Sequence, residues 1–145
     1  MGYQPHQQHL LTRDPSKPML KDLRKKVVDI VQVNLEDPTS LRGITKGCTG
    51  YYIHSTSSDT AVLDAGEVDR ARNLCHEIEI EEEEGNIRHV VCNSVAAEPH
   101  HSVGRTAQKH DVEQVFQHQV EELLPKSTFF ASLSANVFME ELWKI

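Results

Sequence analysis

Residues 86–95, Asn-Ile-Arg-His-Val-Val-Cys-Asn-Ser-Val, constrain the fold of this chain more than any other stretch. The run is compact and dense in β-branched side chains, the composition of a strand buried in a parallel sheet. A parallel sheet needs helices to cover it, so the strand implies helices elsewhere in the chain. It ends in Asn93 and Ser94, which puts polar groups at its C-terminal edge, where open α/β sheets bind ligands. The chain then breaks at Glu98-Pro99-His100-His101 and re-enters a helical pattern carrying Lys109.

The rest of the chain supplies the helices. Strand-like runs occupy residues 9–12, 27–35, 48–54 and 127–133, and helical patterns occupy 16–26, 39–46, 60–84, 104–119 and 136–143. The longest helix has an inner face of Val68, Ala71, Leu74, Cys75 and Ile78, a three–four spacing, with Gly66 weakening its middle. Asp37-Pro38 suits a helix start, and Gly47 and Gly85 suit helix ends. The acidic run from Glu77 to Glu84 reads as a solvated helix end that frays, because like charges crowd an unfavourable dipole. The order β-α-β-α-β-α-β-α-β-α predicts an α/β fold, a parallel sheet with helices on both faces. At 145 residues it is one domain, with residues 1–8 as a leader.

Composition narrows the function. A net charge of −7 argues against nucleic-acid binding, and no apolar run approaches a membrane span. The N-terminus lacks the pattern of a signal peptide, and Cys48, Cys75 and Cys92 lack metal or disulfide spacing. Reduced core thiols and a cytoplasmic location are expected. Adjacent His100 and His101 point apart, and His110 and His118 lie two turns apart, so the histidines predict no metal site. No G-x-S-x-G element marks a hydrolase.

Five segments in order resemble the NmrA-like family, atypical short-chain dehydrogenase relatives that include isoflavone-reductase-like enzymes and NADP-sensing regulators. Leu11-Thr12-Arg13-Asp14-Pro15 resembles the family's second-strand ending, and Val33-Asn34-Leu35-Glu36-Asp37-Pro38-Thr39-Ser40-Leu41 its G-D-L-x-D-x-x-S-L segment. Gly85 to Val91 followed by Ser94-Val95-Ala96 is similar to G-V-K-H-V-V-x-S-S-V-A, and Lys109 to Glu113 to K-x-x-V-E. Asn136-Val137-Phe138-Met139-Glu140 resembles R-P-N-x-F-M-E-N. The resemblance implies a Rossmann sheet that binds NADP or NAD. Arg13 would meet the adenosine 2′-phosphate, Asn34 and Leu35 would lie by the adenine, and Ser55 and Thr56 near the cofactor's middle. Ser94 would face the cofactor, and Lys109 would contact the nicotinamide ribose and act as the catalytic proton-transfer residue. The plainer alternatives are an Arg13 paired with Asp14 and a solvated helix lysine at position 109.

The departures are as informative. The family opens with a strand and a G-x-x-G-x-x-G turn that closes on the pyrophosphate. Here only nine residues precede Leu10, and Gly2 is the only glycine before Gly43. In the strand order 3-2-1-4-5-6 the missing strand is central. Its neighbours must pair with each other, borrow a strand or leave backbone groups unpaired, at about 1–3 kcal/mol for each buried group. Ser134-Ala135 stands where the family has Arg-Pro, Glu141 where it has Asn, and Arg105 where typical short-chain dehydrogenases have the tyrosine of Tyr-x-x-x-Lys. The expectation is a truncated NAD(P)-binding domain of oxidoreductase or sensor ancestry with impaired binding. One rival is an inactive relative that pairs with a homologue or another protein through its incomplete sheet. The other is a gene product without its true N-terminus.

Overall fold

The structure is a computed structural model that describes residues 8–26, 28–54, 66–81, 87–95 and 104–135. In chain order these form β1 (Gln8–Thr12), β2 (Val28–Gln32), β3 (Gly50–His54), α1 (Glu67–Glu81), β4 (His89–Val95), α2 (Arg105–His118) and β5 (Phe129–Ala135). Every strand pair is parallel, with Gln8 opposite Val28, Gly50 opposite His89, and His89 opposite Phe129. The mixed α/β architecture with parallel sheets is the one expected. The helix expected over 136–143 and the start of the one over 60–84 lie outside the described residues.

The first half departs from expectation. Instead of helices over 16–26 and 39–46 it has short 3-10 turns at Pro18–Leu20, Leu23–Lys25 and Pro38–Leu41. The physical reasons are local. In the first stretch only Leu20 is buried while Met19 is exposed, so there is too little apolar face to hold a full helix against its nucleation cost. In the second, Gly43 takes φ 73°, a left-handed conformation that ends a right-handed helix one turn after Asp37 starts it.

The strands form two sheets, β1-β2 and β3-β4-β5. Among the described residues β1 has only β2 as a strand partner and β3 has only β4. Among the described residues β1 and β3 do not pair with each other.

Helix α1 joins the two sheets with two stripes of different chemistry. Ala71, Leu74, Cys75 and Ile78 are all buried, in one cluster with Ile53, Val90, Cys92, Val112, Phe116, Val120 and Leu124. Arg70, Asn73 and Glu77, again at three–four spacing, face the first half. Arg70 Nη1 pairs with Glu36 Oε1 at 3.0 Å, Asn73 Nδ2 donates to the Leu35 carbonyl at 2.9 Å, and Glu77 Oε1 accepts the Gly43 N–H at 2.5 Å. Glu77 is thus not part of a solvated helix end. It is 5% exposed, because it lies on the buried side of α1 and completes the backbone of the turn at Gly43.

Helix α2 covers the same face of the second sheet and ends in a π-helical turn, Gln119–Leu123, which the periodicity did not predict. The buried Gln119 side chain donates from Nε2 to the Cys75 carbonyl and ties the end of α2 to the middle of α1. The opposite sheet face carries the exposed side chains of Tyr52, Phe129 and Leu133. No described helix is long and apolar enough to cross a membrane.

Candidate functional site

Parallel pairing puts the C-terminal ends of paired strands at one edge, and the residues singled out from the sequence follow or sit in those ends. Arg13 directly follows β1 and is exposed. Its carbonyl accepts Gln32 Nε2 at 3.2 Å, which ties it to the end of β2. It is not paired with Asp14. Asp14 Oδ1 instead accepts both the N–H and the hydroxyl of Ser16, at 2.9 and 2.5 Å, and these two bonds hold the Asp14 carboxyl below its ordinary pKa.

Asn34 follows β2, and its polar groups serve the turn. Its Oδ1 accepts the Glu36 N–H at 3.2 Å and its own N–H donates to Ser40 Oγ at 3.0 Å. Leu35 is half-buried and contributes its carbonyl to Asn73. Asp37 accepts the N–H of Thr39 at 2.9 Å and its hydroxyl at 2.7 Å; these bonds cap the 3-10 turn and lower the Asp37 pKa. Ser55 and Thr56 lie outside the described residues.

The end of β4 differs in kind, because it carries a buried polar cluster. Lys109 on α2 is no solvated helix lysine. Its side chain is 14% exposed, and its Nζ donates to Glu67 Oε1 at 2.5 Å, on the first turn of α1. Ser94 is 3% exposed, and its hydroxyl donates to Glu113 Oε2 at 2.6 Å. The same oxygen lies 3.6 Å from His110 Nδ1, and among the described residues the buried His110 Nε2 has no hydrogen-bond partner. Cys92, two residues before Ser94 on the same strand face, lies within range of these charges. Burial first, then the carboxylates of Glu113 and Glu67, push its thiol up to about 11, with the Lys109 ammonium opposing them.

Lys109 and Ser94 are each held by a carboxylate, and Cys92 feels Lys109 and both carboxylates. Glu67 precedes Lys109 by 42 positions, and no local pattern links them. Glu113 Oε2 lies between the two elements, accepting from Ser94 on the strand and 3.6 Å from His110 Nδ1 on α2. The cluster holds a buried ammonium, a hydroxyl, two carboxylates and an imidazole, the groups needed to orient a polar ligand and hold protons beside it. Among the described residues, no three His, Cys, Asp or Glu side chains converge as a metal-binding set.

No family model matches this chain, and no curated relative does. Solved structures do. The chain is similar to an NADPH-dependent quinone oxidoreductase from Escherichia coli complexed with NADPH, with 12% identity and a TM-score of 0.71 over 94% of this chain and 42% of the other. It is similar to a nucleoside-diphosphate-sugar epimerase from Staphylococcus aureus, with 12% identity and a TM-score of 0.67 over 92% and 43%. It is also similar to the Citrobacter sp. triphenylmethane reductase complexed with NADP(H), with 11% identity and a TM-score of 0.68 over 92% and 41%. The fold is thus the Rossmann-like one of these neighbours, and the chain spans about two fifths of their length.

Proposed function

We propose that this chain is an NmrA-like NAD(P)(H)-binding domain of oxidoreductase or redox-sensor ancestry, with NADP preferred and with binding weakened in these residues. The buried cluster at the end of β4 is the observation that carries the reading. A buried serine at the C-terminal end of a parallel strand is tied to Glu113 on α2, the helix that also carries the buried Lys109, and this end of the sheet is where open α/β sheets take ligands. Lys109 would hold the ribose of a nicotinamide nucleotide and move a proton, and Ser94 would sit beside the ring. Arg13 would offer its exposed guanidinium to a 2′-phosphate, as a planar fork suits phosphate oxygens. Asn34 and Leu35 would border the adenine, and Ser55 and Thr56 the middle of the cofactor. The cofactor, when bound, supplies hydride chemistry; these residues bind and orient it.

Binding is expected to be weak because residues 1–54 contain no glycine-rich strand-to-helix turn to close on a pyrophosphate. The free thiols of Cys48, Cys75 and Cys92 suit the cytoplasm. Calorimetric titration with NADPH and NADH tests the reading: saturable binding with NADPH tighter supports it, and a flat titration for both sinks it.

A second reading is favoured by the two separate sheets. Among the described residues β1 and β3 each have one strand partner, and an open parallel edge is a template for another strand. On this reading the chain is a catalytically inactive relative that pairs with a homologue or another protein through those edges. A monomer at all concentrations, with slow amide exchange along both β1 and β3, would count against it.

A further inference from the structure

We infer that Glu113 is a positioning residue that makes Ser94 a hydrogen-bond acceptor only, so that the ligand group seated there is a donor, an amide N–H or a hydroxyl, and not a bare carbonyl. The inference rests on the nicotinamide-side reading of the β4 end. A serine hydroxyl has one proton and two lone pairs. In this chain the proton points at Glu113 Oε2, 2.6 Å away. An ionised carboxylate accepts and has no proton to return, so the direction of that bond is fixed.

The surroundings keep it fixed. Among the described residues Glu113 is the one acceptor the Ser94 proton has. His110 Nδ1 lies 3.6 Å from the same Glu113 oxygen. A carbonyl could bind to Ser94 only by drawing its proton away from a charged acceptor, and bonds to ionised groups are roughly twice as strong as neutral ones. A donor ligand leaves the Ser94–Glu113 bond intact and adds a second bond to the Ser94 oxygen. The site therefore discriminates between two groups of similar size by the sign of the hydrogen bond.

Nicotinamide and 3-acetylpyridine test this directly. They share a pyridine ring and a carbonyl, and differ in carrying an NH2 or a methyl group. Each is titrated into the isotope-labelled full chain, and amide shifts along β4 report binding. The wild type is expected to bind nicotinamide about 3- to 10-fold more tightly, the range of one net hydrogen bond. Ser94→Ala brings the ratio to one. Glu113→Ala lets the hydroxyl turn and donate, so the preference vanishes or reverses. Glu113→Gln, which keeps the volume, narrows the ratio even where the alanine variant fails to fold.

Equal affinities in the wild type, a preference for 3-acetylpyridine, or no shift along β4 with either ring overturns the inference. So does a ratio unchanged in the folded Glu113 variants, which would mean that Glu113 only packs. An NADPH titration of the same samples reads the cofactor proposal separately. A nicotinamide preference without NADPH binding leaves the inference standing and removes the cofactor; NADPH binding with no ring preference does the reverse.

Discussion

The two halves of this molecule are built on opposite principles. From β3 onward, side chains of α1, α2, β3, β4 and the turn after α2 share one continuous apolar cluster, in which Ile78, Val90, Cys92 and Phe116 are wholly buried. In the first half Leu20, Val33 and Leu41 are the buried apolar side chains, Ile44 is the side chain that packs against the cluster, and polar links to α1 do the rest: Glu36 to Arg70, Leu35 to Asn73, and Gly43 to Glu77. Apolar packing is non-directional and strong in sum, whereas exposed ion pairs and single hydrogen bonds contribute little each. The second half is thus a core with a sheet, and the first is a two-stranded sheet held to it by a polar stripe on α1 and by little apolar contact beyond Ile44.

Substitutions can break that comparison. Phe116→Ala removes the largest fully buried side chain, and is expected to cost about 3–5 kcal/mol in urea denaturation, by lost transfer and the cavity left behind. A cost near zero would mean that the apolar cluster is not what holds the second half. Lys109→Met comes next. It leaves the Glu67 carboxylate, 2% exposed, without its ammonium, and breaking such a buried pair costs about 3–5 kcal/mol, less here because Lys109 keeps some contact with solvent. The double variant Glu67→Gln/Lys109→Met should recover most of that loss. If it does not, the pair is not the reason.

Glu77→Ala acts on the junction. It deprives the Gly43 N–H of its acceptor, at about 1–3 kcal/mol. Hydrogen exchange should speed up around residues 36–47 and leave β4 and β5 unchanged; equal loss in both halves would contradict the division. The smallest effect is a pH dependence. Burial pushes the Cys75 thiol up to about 12 and the Cys92 thiol up to about 11, from 9.0. Both pKa values are raised, so the native state holds these protons more tightly than the unfolded state does. The stability they contribute is whole below pH 9 and is lost as pH rises through 9 towards 11 and 12. The unfolding temperature should fall more steeply above pH 9 than it does in a Cys75→Ala/Cys92→Ala variant.

How much of this was legible in the residues varies along the chain for the same reason. The inner face of α1 can be read directly, because Ala71, Leu74, Cys75 and Ile78 repeat at helical spacing and all are buried. The strand around Val90 and Cys92 can be read for the same reason, as can Val112, Phe116 and Val120 on α2 and its terminal turn. Periodicity reports burial against something, but not what the something is. It could not show that Glu77, in an acidic run, turns inward to a glycine N–H 34 positions away, or that Lys109 meets Glu67 and Ser94 meets Glu113. Those pairings are set by which helix crosses which strand end, a property of the assembled fold. The failed helix at 39–46 has a third cause. The left-handed backbone at Gly43 overrides an amphipathic pattern, and glycine alone did not announce it.

The polar stripe on α1 has a consequence for the order in which the chain folds. Arg70, Asn73 and Glu77 are aligned only once α1 is helical, and α1 is held helical by the cluster of the second half. Elements adjacent in sequence pay the least loop-closure entropy to meet, so α1, β4 and α2 can form a nucleus without the first half. The β1-β2 pair then docks on a stripe already in place. Conservative truncations at Leu74 and Val112 should slow folding, while truncation at Val33 should mainly speed unfolding. The first half would be the last to arrive and the first to leave.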